Sequence, residues 1–177
     1  MIAKIGLGLA ALLVVLAVVV ASRPAEFRLA RSTTIAAPAD VVFVQLNDFR
    51  KWQGWSPWEK MDPNMQRTYD GPPSGVGSTY AWQGSGGVGA GRMTITDATP
   101  SERVALTLEF TAPMVATNAV EFTLKPVAGG TDVTWSMAGR NGFLGKAITM
   151  VVGMDAMVGA QFEEGLRTLK SIAETKL

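Results

Sequence analysis

The sequence contains no histidine and no cysteine, and each absence removes a class of chemistry. Without cysteine there is no disulfide, no thiol nucleophile and no thiolate metal site, and either side of a membrane is permitted. Without histidine there is no Ser-His-Asp triad, no imidazole general base and no ordinary zinc centre. The sequence therefore predicts no metal and no cofactor. An excess of one charge is missing too: 16 basic residues stand against 15 acidic ones, for a net charge of +1, so there is no electrostatic footprint for nucleic acid.

What the chain does have is apolar surface, and it is concentrated first at the N-terminus. Ile5 to Ala21 (IGLGLAALLVVLAVVVA) carries no charge. It is slightly short of the roughly 20 residues that span a bilayer core, and longer than the roughly 7–15 apolar residues of a cleavable signal. Residues 1–23 are read as a membrane anchor, with a signal segment cut before Ser22 as the alternative. The expected location is a single-pass protein of a bacterial inner membrane. Lys4 flanks one side while Arg23, Arg28 and Arg31 flank the other, a count that leans to a cytoplasmic domain but leaves the side open. Residues 24–177 are enough for one domain with one core.

Beyond the anchor, Glu26 to Ile35 reads as a strand. Ala37-Pro38-Ala39-Asp40 opens a helix, and Asp48 to Trp55 makes a second short helical turn. Six period-2 runs follow: 65–70, 78–83, 92–97, 103–110, 117–126 and 131–137, separated by glycine and proline clusters as in an antiparallel meander. Within them Met93, Ile95, Val104, Leu106, Leu108, Phe110, Val120, Phe122, Leu124, Val133, Trp135 and Met137 form one apolar face. Thr94, Thr107, Glu109, Glu121, Thr123, Lys125 and Thr134 form the solvated one. Glu109 and Glu121 would approach each other if the chain folded back about 113–115, but they lie on the polar face. Gly84-x-Gly86-x-x-Gly89 matches a dinucleotide fingerprint in letters only, because a strand follows it instead of the helix a pyrophosphate needs; it is a hairpin loop.

From Phe143 to about Ala173, apolar residues recur at three and four, which predicts one long amphipathic helix with Glu163 four before Arg167. It carries Met150, Met154 and Met157, adaptable side chains suited to a pocket wall, and four glycines at 145, 153, 159 and 165 that imply close approach or spare room. Trp52, Trp55 and Trp58 stand three apart, but Pro57 prevents one helix from running through them, so the stretch reads as a helix end entering a loop. Either they pack on a core or they rim a pocket.

The segments RSTTIAAPADVVFVQLNDFRKWQGWSPWEKMDPN, GPPSGVGSTYAW, VGAGRMTIT, TNAVEFTLKPVAGGTDVTWSMAG and MDAMVGAQFEEGLRTLK resemble the polyketide cyclase/dehydrase (type 2) branch of the START-like, or SRPBCC, superfamily. The resemblance covers Glu26 to about Ala173. It implies an α+β helix-grip fold of the START/Bet v 1 type: a curved antiparallel sheet wrapped around a long C-terminal helix, with a deep apolar cavity between them, here preceded by one N-terminal transmembrane helix. The expected function is membrane-anchored binding of a hydrophobic small molecule, such as a lipid, an isoprenoid or a polyketide-like compound. The residues expected to line the cavity are Trp55, Trp58, Tyr80, Trp82, Phe110, Phe122, Trp135, Met150, Met154 and Met157. Two alternatives stay open. One is a cyclase or dehydratase, which needs an acid or tyrosine in the cavity that strand parity does not supply; Tyr69, Tyr80, Asp97, Arg31 and Arg67 are the side chains it would have to use. The other is a protein-interaction module like the superfamily's co-chaperones.

Overall fold

A computed structural model describes residues 2–85 and 87–175, with all their side chains except those of Ile2, Ala3 and Ile5; Gly86 of the glycine loop lies outside the described residues. Helix α1 spans Ile2–Ser22 and leads into strand β1, Glu26–Ile35. Helix α2 (Ala39–Leu46), a 3₁₀ turn (Phe49–Gly54) and helix α3 (Pro57–Met61) follow. Strands β2 (Gln66–Asp70), β3 (Thr79–Gln83), β4 (Ala90–Thr99), β5 (Arg103–Ala112), β6 (Ala116–Val127) and β7 (Gly130–Arg140) precede helices α4 (Phe143–Val152) and α5 (Ala160–Thr175). The seven strands form one antiparallel sheet in the order β1-β7-β6-β5-β4-β3-β2. This is the α+β architecture expected, with α5 against the apolar face.

Strand parity decides what is inside. Ile95, Val104, Leu106, Val120, Phe122, Leu124, Val133, Trp135 and Met137 are all buried, facing Phe162, Leu166 and Leu169 of α5. On the outer face Glu109 pairs with Arg92 at 3.1 Å, and Glu121 with Arg103 at 2.6 Å. The two glutamates do not meet: register sets Glu109 opposite Thr117 and Glu121 opposite Ala105, because the hairpin is centred on Pro113, two residues before the point that would face them.

Trp52 and Trp55 answer a local need. The last carbonyls of a helix have no partner within it, and at the end of α2 the Trp55 indole N–H donates to the Gln45 carbonyl at 3.2 Å while the Trp52 N–H donates to Leu46 at 3.0 Å. The two rings, 4.7 Å apart, then pack edge-on against Phe122. Pro57 does stop the 3₁₀ turn, but it also starts α3 as that helix's first residue, where its missing N–H costs nothing.

The single long C-terminal helix is corrected. It breaks at Gly153, whose φ of +81° and ψ of 137° lie outside the range of other residues, and α4 and α5 meet at 81° through a π turn at Asp155–Gly159. Glu163 consequently faces Arg31 of β1 at 2.6 Å, while Arg167 pairs with Glu164. The other helical glycines are close approaches: a Cβ at Gly165 would sit 2.8 Å from the Trp135 ring. Among the described residues no single helix is long and apolar enough to cross a membrane; Gly6–Ser22 is a shorter apolar helix, and α4 with the α5 segment reach that composition only as a bent pair.

Hairpin geometry sorts the connections to two ends of the sheet. At one end lie the α1–β1 junction, the β3–β4 glycine loop, the β5–β6 tip and the start of α4, since Phe27 pairs with Gly139, Asn118 with Gly139, and Ala90 with Ala112. At the other lie the β2–β3, β4–β5 and β6–β7 turns.

Candidate functional site

The first end opens into a cavity of about 390 Å³ between the sheet, α3 and the helical segment after Gly153. Its walls are aromatic because the strands' apolar parity and α5 converge there. Trp135 stacks on Phe162 at 4.0 Å and 9°, and Trp58 stands edge-on to both at 5.8 and 6.3 Å. Across the cavity Tyr80 stacks on Trp82 at 6.0 Å, and Trp82 meets Phe110 at 5.7 Å. A Cβ at Gly91 would fall 2.6 Å from the Trp82 ring, so a glycine there lets the indole lie flat on the strand. The Trp82 N–H donates to the Val88 carbonyl at 3.0 Å and so draws the glycine loop over the site.

Seven of the ten residues singled out from sequence meet at this cavity: Trp58, Tyr80, Trp82, Phe110, Trp135, Met154 and Met157. Trp55 and Phe122 do not. Both are fully buried behind the wall, Trp55 because its N–H is committed to α2. Met150 is also elsewhere: it lies before the Gly153 bend and borders a separate depression of about 310 Å³ with Arg23, Glu26 and Lys146. Trp52, read from sequence as core or pocket rim, also borders the cavity, and residues not foreseen there include Phe27, Met65, Met93, Leu108 and Phe162. Met93 and Leu108 belonged to the apolar parity set and could have been drawn from it.

The unforeseen polar feature is Glu59, in the first turn of α3 and buried at the cavity wall. One of its oxygens accepts from the Tyr80 hydroxyl at 2.5 Å, the other from Arg67 Nε at 2.7 Å, and Arg67 also donates to the Met65 carbonyl at 2.7 Å. Burial first, and then the Glu59 carboxylate, push the Tyr80 phenol far above its ordinary range, so it stays a neutral donor. The bond to Glu59 raises Arg67. Beside it Asp62 accepts from the backbone N–H and hydroxyl of Ser85, at 2.7 and 3.1 Å, and from the Asn64 N–H at 3.0 Å. Those bonds, the Ser85 amide foremost, hold its carboxyl below the usual carboxylate range. Ser56, Asn118, Arg140 and Asn141 complete the polar lining. Asp97 and Arg31, considered from sequence, pair with Arg103 and with Asp155 and Glu163 away from the cavity. Among the described residues no group of three acidic side chains is placed to hold a metal ion.

Residues 26–174 match the family described as polyketide cyclase/dehydrase and lipid transport. No curated protein shows a significant match. Among solved structures, a protein from Chromobacterium violaceum is 17% identical with a TM-score of 0.59, over 86% of this chain and 99% of its own. The Aha1 dimer from Colwellia psychrerythraea is 16% identical with a TM-score of 0.60, over 84% and 96%. The di-domain ARO/CYC StfQ from the steffimycin biosynthetic pathway is 11% identical with a TM-score of 0.65, over 86% of this chain and 52% of its own. At these identities the structures share the fold.

Proposed function

The chain belongs to the polyketide cyclase/dehydrase and lipid transport family, and from that premise we propose that it binds a hydrophobic small molecule in the cavity between sheet and C-terminal helix, at a bacterial inner membrane to which residues 5–21 anchor it. The observation that carries the reading is the cavity itself: about 390 Å³, within the range of small-molecule sites, walled by tryptophan, phenylalanine and methionine with few polar groups among them. Each 100 Å² of apolar ligand surface removed from water contributes about 2.5 kcal/mol. The Glu59–Tyr80 pair gives an otherwise apolar molecule one end to orient by. A lipid, isoprenoid or polyketide-like compound with a single oxygenated end has that form.

The test is native mass spectrometry of the full chain released from its membrane, with extraction of the bound compound. An apolar ligand present on the wild type and lost on Leu108→Trp, which fills the cavity, supports the reading. An empty cavity that takes up no apolar fluorescent probe overturns it and favours the interaction module.

A second reading, a cyclase or dehydratase, is favoured by Glu59 and Tyr80 alone: a carboxylate and a phenol in contact inside the cavity can together accept and donate a proton. Turnover of an aromatic precursor lost in Tyr80→Phe, with ligand binding retained, is the result that separates it from simple sequestration.

A further inference from the structure

We infer that the open end of the domain is itself a membrane-contact surface, with α4 and the β5–β6 tip seated in the lipid interface on either side of the cavity mouth. The inference builds on the proposed apolar cavity, because a mouth in the interface has a use only if something passes through it.

Three observations converge. First, no residue of α4 is fully buried, and its two ends expose Phe143, Leu144, Val151 and Val152, large apolar side chains of which Val151 is 80% exposed. Leu144 and Val151, seven apart, share one face, with Phe143 beside the first and Val152 beside the second, and the half-buried turn 145–149 lies between them. Second, the tip between β5 and β6 presents Met114 and Val115, the latter 85% exposed. Met114 borders the cavity from the sheet side as Met154 and Met157 do from the helix side, so the β5–β6 tip and the segment that directly follows α4 flank one opening. Third, α4 packs against α1, and the Lys146 ammonium donates to the Ala21 carbonyl at 3.1 Å, closing the end of the apolar N-terminal helix. The chain thus enters the domain at the end where the cavity opens.

Charge agrees with a bilayer as occupant. Lys146 is the only ionisable residue of α4, and Arg23 and Arg140 lie at the same end. An amphipathic helix with apolar bulk on one face and cations at its edge is the form that lies in an interface. Among the described residues, the opposite end of the sheet exposes the scattered Val76 and Val127 and no helix with apolar ends of this kind.

Because the chain has no cysteine, single-cysteine variants report one position each. The full chain would be reconstituted into phosphatidylcholine vesicles with and without phosphatidylglycerol, bearing a polarity-sensitive fluorophore at Val151→Cys, Val115→Cys or, as the distal control, Val127→Cys. Nitroxide on the acyl chains and aqueous iodide serve as opposed quenchers. Labels at 151 and 115 are expected within the outer ~5–10 Å of the acyl boundary, quenched by nitroxide and shielded from iodide, with 127 the reverse. If iodide reaches 151 and 115 as freely as 127 while the chain stays on the vesicles, the inference falls and the anchor stands. A chain that does not associate with vesicles overturns both. Labels reached by neither quencher mean that a second copy of the chain covers the face, which overturns a lipid occupant. Uptake of an apolar probe, measured on the same samples, reports the cavity reading separately. A Val115→Asp/Val151→Asp variant should slow transfer of that probe from vesicles at unchanged uptake from detergent.

Discussion

The two ends of the sheet are built for opposite purposes. At the closed end the backbone is tied to the C-terminal helix, where the Ala36 N–H donates to Glu174 at 2.7 Å and Lys170 to the Thr34 carbonyl at 2.8 Å, and β7 is tied to the link before α2 by the buried Thr131 hydroxyl, which donates to the Ala37 carbonyl at 2.8 Å. At the open end α4 has no buried residue. Between them Trp55 and Phe122 are fully buried, while Trp58 and Trp135 border empty space. Full burial of the interior behind the cavity wall allows the open end to keep a cavity that a filled core would not contain. If that division is real, substitutions should separate by which end they touch.

The largest effect is expected from Trp55→Ala. It removes a fully buried indole and the hydrogen bond to Gln45, and should cost about 3–5 kcal/mol in urea unfolding. Loss of less than ~1 kcal/mol would mean that Trp55 is a flexible part of the cavity and that the interior is not divided.

Next comes Glu59→Leu, at about 2 kcal/mol, since it strands Arg67 and the Tyr80 hydroxyl; the full ~3–5 kcal/mol of a buried pair is not expected, because the Arg67 side chain keeps 20% exposure. Glu59→Leu/Arg67→Met should recover most of the loss, because paired apolar replacements leave no buried charge alone. Failure to recover would show that the carboxylate serves the cavity wall through Tyr80 more than through Arg67.

Strand parity made the sheet and its inner face legible, since burial of alternate residues leaves a period-2 trace in residue type. The division within that face was not legible. Trp52, Trp55 and Trp58 are equally spaced, yet Trp52 and Trp55 both close α2, Trp52 and Trp58 border the cavity, and Trp55 alone is sealed behind its wall. Glu59 carries no mark in the sequence, where its stretch reads as a loop, because its partners Tyr80 and Arg67 lie on strands that come beside it only in the fold. The four glycines near the C-terminus were alike as letters. Gly165 makes room for Trp135, whereas Gly153 supplies a positive φ, and that one difference takes Met150 out of the cavity.

Gly153→Ala isolates this last point. Nothing lies within 4 Å of the added Cβ, so the cost is conformational alone, about 1–3 kcal/mol if the bend is kept. A smaller loss with changed spacing between labels on α4 and α5 would mean that the helix straightens, and the mouth would then lose the angle of 81° that separates its lip from its wall.

The smallest effect belongs to acid, and it tests whether the glycine loop is held to the open end by Asp62. Its folded pKa lies below the unfolded value, so its contribution is present above the unfolded pKa and fades as pH falls through the folded one. Protonation removes the charge that accepts from Ser85, and the loop over Trp82 should then exchange its amide hydrogens faster while the closed end stays protected. Asp62→Asn should bring the same local loosening to neutral pH and abolish its acid dependence. Equal loosening at both ends in acid would remove Asp62 as the local tie.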